Sequence, residues 1–551
     1  MPDASPRTAP STTTTTTTAT TTAATSRRSV LRAGATAAGA TAAGAAGVGA
    51  TVLAAPGRAE AAPAYRPARF AGDTPLLGAR DRHLVTRFSY GLTPALARQV
   101  RRAGGGRAWF EQQLDAGSVT DGAGAFASWW PGLGRTPSEL WQRHVGEVEG
   151  GWEVMDDYQR WLLLRRMHTG RQVHEVMTEF WENHLNVPVN GDAVFTWRAD
   201  YGDTVRRHAL GRFDELLQDA VVHPAMLLYL DGAISTAEHP NENLGRELLE
   251  LHTVGRGQYD EDDVKASARI LTGWWVDMWR TWAASYEPRH HAVGPVSVMD
   301  FSHPNADRDG RAVTRAYLTH LAHHPATAAR IARKLAVKFV SDDPPQALVD
   351  ELARVYLASD TAIVPVLRAL VASEAFAGSA GAKVRDPGED VVATYRALRV
   401  KVSEPPQGRA GDSWGANAVL WQCSDLGSTP MSWPRPDGAP LDNDSWSSSS
   451  RVVASFGLHY AMSGGWWPRD GMRYRTPRQW LPKASIRFDL LVDHLAQELL
   501  GVHSTAELLQ ACCEACDVRP GERITREHRL VKWAFQRLLT TFLDSPLHMT
   551  R

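Results

Sequence analysis

From about Arg80 onward, apolar residues recur at three- and four-residue steps, the period of a helix with one buried face. In VHEVMTEFWENHLNV, residues Val173, Met177, Phe180, His184 and Val187 fall on one stripe. FDELLQDAVVHPAMLLYLD has the same character, with a break near Pro224, where a helix interior would lose a backbone donor. DDVKASARILTGWW places Val264, Ala268 and Leu271 on one face, behind an acidic start that suits the positive end of a helix dipole. PATAARIARKLAVKFV, QALVDELARVYLA and AIVPVLRALVASEAF predict three more helices with short connections. Beyond Gly381, VVATYRALRV, FDLLVDHLAQELL and HRLVKWAFQRLLTTFL continue the pattern. Two stretches break it. Residues 286–310 are rich in Gly, Pro and His, and alternate only over 296–301, enough for one short strand; residues 403–450 are rich in Pro, Trp, Ser and Gly. Loops of that length in a compact domain are functional or disordered, and the Trp content of the second argues for packing. The expected fold is mainly α: one multi-helical domain over 65–551, with long irregular loops near 286–310 and 403–450 and at most a minor β-hairpin.

The first 64 residues belong to a different kind of chain. STTTTTTTATTTAAT has no apolar face to bury. It is followed by SRRSVLR, with Arg27 and Arg28 paired ahead of Val30 and Leu31, then a weakly hydrophobic Ala/Gly/Thr run and small-residue sites at 59–64. This resembles a bacterial twin-arginine export signal, so the expected location is secreted or extracytoplasmic. The run is too diluted by Gly and Thr for a retained anchor, and no later segment reads as a membrane span. Export of an already folded chain is compatible with a cofactor loaded in the cytoplasm, and folding there weakens the case for disulfides. Cys512, Cys513 and Cys516 lack a second CxxC to complete a zinc site and read as buried helical thiols. With 60 basic against 61 acidic residues and no recognition motif, nothing points to nucleic acid.

The densest chemistry lies in NENLGRELLELHTVG, residues 241–255. Asn241 is a natural N-cap and Gly255 a natural stop. Leu244, Leu248 and Leu251 share one face, Asn243, Glu247 and Glu250 a neighbouring one, and His252 the other flank. Glu242–Arg246 and Arg246–Glu250 are i,i+4 pairs of the sort any solvated helix carries, each contributing roughly 0.2–0.5 kcal/mol. Glu247 and Glu250, one turn apart, would repel unless an Arg, a shared proton or a cation lies between them. Glu179, Glu182 and Asn183 sit on the more polar side of the His184 helix, without the Glu-x-x-His spacing of di-iron bundles. His290 and His291 fall in the irregular 286–310 segment.

FWENHLNV, HPAMLLYLD, NENLGRELLELHTVG, DDVKASARILTGWW, HPATAARIARKLAVKFV and PDGAPLDNDSW, in that order, resemble the bacterial family called domain of unknown function 1800 (DUF1800), over about 80–551. The resemblance implies an exported, largely helical protein without an assigned reaction. Its genes often neighbour a second exported family similar to sulfatases and alkaline phosphatases. Asn241, Glu242, Asn243, Arg246, Glu247 and Glu250 fall where the family motif carries the same residue types, which favours a buried polar network or a site over a solvated face. The chain departs from the family at Glu182, often His there, at HHAVGPV, where relatives often carry His-Asp and a downstream Lys, and at Gly427-Ser428, usually Gly-Gln.

Three functional readings remain open. The first is a hydrolase-like enzyme acting on an extracellular polymer or glycan. In it Glu247, Glu250, Arg246 and His184 are the catalytic candidates, and Asn241, Asn243, His291 and Trp274 contact substrate. The second is a metal-dependent hydrolase or redox protein holding a divalent or transition metal through Glu247, Glu250, His184 and His291. The third is a non-catalytic binding or assembly partner of the sulfatase-like neighbour, with the Asn/Glu/Arg helix as a buried network.

Overall fold

Short-range signals set the helix boundaries. The computed structural model describes residues 65–551 apart from 116, 118, 407–410 and 412. The leader expected over 1–64, including Arg27 and Arg28, lies outside the described residues. Thr136 and Glu139, Asp260 and Asp263, and Asp386 and Glu389 form reciprocal capping boxes, each satisfying backbone donors that a helix start leaves open. Helices occupy Gln172–His184, Pro325–Phe339, Gln346–Ala358, Pro387–Leu398 and Phe488–Leu500, much as the periodicity predicts, and a further long one spans Gly151–His168. The break at Pro224 separates Phe213–Val221 from Pro224–Tyr229. Among the described residues, strands are confined to four two-stranded antiparallel ladders of two or three residues a side. The described chain from Tyr65 to Arg551 forms one unit, and the fold class is mainly α. Among the described residues no helix is long and apolar enough to cross a membrane.

The Gln172–His184 helix runs through the core rather than along its edge. Its stripe of Val173, Met177, Phe180 and His184 is buried as expected, but so are Glu182, expected on the polar side, and Glu175. That side faces helices that bring arginines. Glu175 lies between Arg165 Nε at 2.7 Å and Arg206 Nη2 at 3.0 Å. Glu182 accepts from Arg198 Nη2 at 2.7 Å and from the Tyr158 hydroxyl at 3.0 Å. Fully desolvated carboxylates survive only with such partners, so Glu182 is part of the frame.

Both irregular segments hold more structure than their composition suggests. In 286–310 the chain reverses between Val298 and Phe301, with Met299 at φ +51°, giving two strands where one was expected, Val296 opposite His303. The Gly415–Asp425 helix lies inside 403–450, and was hidden because Ala416, Asn417, Ala418, Val419, Leu420 and Gln422 are buried around most of its circumference. A helix buried on most sides shows no amphipathic period. Cys423, Cys512, Cys513 and Cys516 are buried free thiols.

Candidate functional site

The Pro-rich segment around PRPDGAP crosses the C-terminal end of the Gln172–His184 helix as a strap. Asn183 grips it on both sides of one residue: Nδ2 donates to the Ala439 carbonyl at 2.8 Å, and Oδ1 accepts from the Ala439 N–H at 2.7 Å. Asn186 donates to the carbonyls of Trp433 and Arg435, both at 2.8 Å, and the Tyr229 hydroxyl to that of Pro434 at 2.8 Å. Gly438, at φ +76°, allows this approach, because a Cβ there would overlap the Asn183 carbonyl.

Beneath the strap, Lys334 Nζ lies 3.0 Å from His184 Nδ1, and His184 Nε2 lies 3.1 Å from the His252 carbonyl. A carbonyl only accepts, so Nε2 carries the ring proton and Nδ1 is left to accept from Lys334. Burial first, and then Arg330, bring the Lys334 amine down to about 8, with Asp437 opposing. Burial, and then Lys334, hold His184 well below the usual imidazole range. His252 is fully buried with its ring against the Pro436 carbonyl, and burial and Lys334 bring it down to about 3. Asp437 has one oxygen paired with Arg435 at 2.9 Å and the other buried with no hydrogen-bond partner among the described residues. Its charge is felt by Lys334 and Arg330 on one side and by Glu247 and Tyr229 on the other.

The helix carrying Glu247 starts as the sequence predicts: Asn241 Oδ1 accepts from the Asn243 N–H at 2.9 Å. It does not continue as predicted. After Glu242–Glu247 the chain takes a π turn over Leu248–His252, adding a residue to the turn and rotating the side chains beyond it. Leu249 is thereby buried with Leu244 and Leu248, Leu251 is only partly buried, and His252 swings from the flank into the interior. Glu247 is half-buried, and its carboxyl is raised, chiefly by burial and then by Glu250. Glu250 is held by Arg256 Nε at 2.5 Å and the Tyr259 hydroxyl at 3.0 Å. Arg246 turns away to Glu261, with two bonds of 2.8 Å, and keeps Glu242 at 3.3 Å, so the expected Arg246–Glu250 pair is replaced. Asn243 donates to Asp231 at 3.3 Å.

His291 and Trp274 do not join this group. His291 is buried with Nε2 on Asn305 Oδ1 at 2.8 Å and Nδ1 on the Thr272 carbonyl at 3.1 Å, which locks the 286–310 segment to the core. Trp274 starts a strand opposite Tyr286 and packs edge-on against its ring at 5.0 Å. The four metal candidates from the sequence are therefore not a ligand set, since both nitrogens of His184 and of His291 are engaged elsewhere.

Among the described residues, groups close enough to share an ion occur in two other places. Glu179, Asp386 and Glu389 form one, beside a cavity of about 60 Å³ that Glu179, Asn183, Lys338, Asp386 and Ser428 help to line. Its charges are largely matched: Glu179 with Arg166 at 3.3 Å, and Glu389 with Lys338 at 3.0 Å and Arg551 at 2.9 Å. Burial first, and then Glu389 and Glu179, push Asp386 up to about 6. Asp390, His459 and His548 form the other, fully buried. There His459 has a carboxylate on each nitrogen, Asp544 at 2.8 Å and Asp390 at 3.2 Å, the setting of a buried imidazolium.

Sequence reasoning found His184 and Glu247 but missed Lys334, His252 and Asp437. One signal was present: Thr327, Ile331, Lys334 and Lys338 fall on a single helical stripe, so two lysines continue a face begun by buried residues. A family model described as a protein of unknown function (DUF1800) matches residues 83–550. No curated protein and no solved structure matches the chain.

Proposed function

The chain belongs to the DUF1800 family, whose description assigns no activity, and from the geometry under the strap we propose that this member is an exported acid–base enzyme of the hydrolase type, acting on a glycan or other extracellular polymer. The observation that carries this reading is the Lys334–His184 contact at 3.0 Å in a partly buried setting. A lysine at about 8 exchanges protons near neutral pH, which an ordinary surface lysine does not. Lys334 takes a proton from the attacking water. His184 fixes the direction of the amine, and the His252 carbonyl fixes the tautomer of His184. Glu247, raised towards neutrality on the other side of Asp437, is the group to protonate the leaving oxygen. Export by the twin-arginine route places the site outside the cytoplasm, where polymers are the accessible substrates.

The assembly reading keeps one specific support, the complete pairing of Glu250 and Arg246 by their own neighbours; the sulfatase-like protein is its proposed partner. The two readings part on Lys334→Met. Release of reducing sugar from a polysaccharide panel should fall at least ~100-fold in Lys334→Met and in Glu247→Gln. Because a buried lysine disfavours its own charge, Lys334→Met should melt no lower than wild type. Wild-type turnover in Lys334→Met would remove Lys334 from the mechanism, and no turnover by the wild-type protein on any polymer would favour assembly.

A further inference from the structure

A second, larger cleft lies at the N-terminal end of the Gly151–His168 helix, with a volume of about 470 Å³, within the range of roughly 300–1,000 Å³ usual for ligand sites. Its walls carry Trp129, Trp130 and Trp152. Trp130 is buried and Trp129 partly so, with their ring centroids 6.0 Å apart and planes inclined at 58°. Trp152 is 70% exposed, an unusual placement for the largest apolar side chain. Indoles offer flat apolar faces with one polar edge, so they suit a ligand that is apolar on its faces and polar at its rim.

The charged groups narrow the ligand further. Glu149 lies between Arg135 and Arg143, with the Arg143 Nε contact at 2.9 Å. Asp157 pairs with Arg160 at 2.7 Å, and Glu153 accepts from the Gly150 N–H at 2.5 Å. Three arginines and three carboxylates leave the lining formally neutral, so the cleft offers donors and acceptors together with its indoles. An anionic or cationic polymer gains no net attraction there. An apolar peptide would cover these ion pairs without replacing their water. A sugar ring stacks its C–H faces on indoles and turns its hydroxyls, which both donate and accept, towards paired Arg and carboxylate groups.

We propose that this cleft binds the rings of an uncharged polysaccharide. The inference stands apart from the acid–base reading: it needs neither Lys334 nor turnover. It is tested by affinity electrophoresis of the exported full chain through gels containing laminarin, galactomannan, xyloglucan or pullulan, with alginate, hyaluronan and polygalacturonate as the anionic set. The expected result is retardation by at least one neutral polymer and by none of the anionic ones. Trp152→Ala should weaken that binding at least ~10-fold, Trp152→Phe should keep most of it, and Trp533→Ala, at an indole 80% exposed outside the cleft, should leave it unchanged. Lys334→Met should bind as wild type does, which separates failure here from failure of the catalytic reading. No retardation in any neutral gel, equal retardation of Trp152→Ala and wild type, or salt-sensitive binding to the anionic polymers would overturn the proposal.

Discussion

Two carboxylates face His459 from opposite sides, Asp390 on Nε2 and Asp544 on Nδ1, while Arg451 at 3.1 Å and Ser455 at 2.7 Å hold the second oxygen of Asp390. Burial opposes a charge on the ring, but Asp390 and then Asp544 outweigh it and hold the imidazole up at about 9. His548, the other ring near Asp390, goes the opposite way, to about 3, through burial and the His459 charge. A raised pKa means that the folded state holds this proton more tightly than the unfolded chain. The His459 contribution is therefore complete below about 6.5, shrinks as pH rises, and is gone above about 9. The shift corresponds to roughly 3 kcal/mol. Lys334 works in the other direction, but its relief falls mainly between about 8 and 10.5, above most of that window. The melting temperature should thus decline from pH 6.5 to 8.5, and His459→Gln should lose most of that slope. An unchanged slope in the variant would show that His459 is neutral when folded.

At the scale of single elements, local sequence specified starts and faces better than continuations. Asn241, Asp260 and Asp386 cap where a short polar side chain precedes an apolar period, because capping depends only on the next three residues. The π turn at Leu248–His252 carries no such mark, and it decides which side chains of that helix reach the interior. Gly245 supplies a packing reason that composition could not. A Cβ there would meet Ala268 N at 3.0 Å, Ser267 Oγ at 3.2 Å and the Val264 carbonyl at 3.3 Å, so this helix and Glu261–Ile270 touch almost backbone to backbone. Gly457, inside the Ser449–Ser463 helix, has no atom within 4 Å of the same position. Substitution should therefore act with opposite sign at the two sites. Gly245→Leu should cost about 1–3 kcal/mol by forcing the helices apart, and Gly457→Ala should add about 0.5–1 kcal/mol through helix propensity. Thermal unfolding of the pair decides it; equal effects would mean that the close approach is not tightly packed.

Across the whole molecule, the amphipathic helices were legible because each is written in a local period, whereas the candidate site is assembled by the fold. His184, His252, Lys334 and Asp437 are far apart in sequence, and a lysine in RKLAVKFV looks ordinary until Pro436 and Asp437 are laid across it. The strap is therefore the cause to test. If it makes Lys334 unusual by excluding water, loosening it should restore the lysine. Asn183 is the place to do so, since it makes two hydrogen bonds to Ala439 while Asn186 and Tyr229 hold the preceding residues. Losing both bonds should cost about 1–3 kcal/mol locally and leave the helices folded. In Asn183→Ala, hydrogen exchange should quicken over 434–441, and the Lys334 amine, followed by pH-dependent acylation and peptide mapping, should titrate nearer its usual 10.5 than 8. Faster exchange with the lysine still near 8 would place the cause in Arg330, which lies one turn before Lys334 on the same helix and depresses its amine independently of the strap.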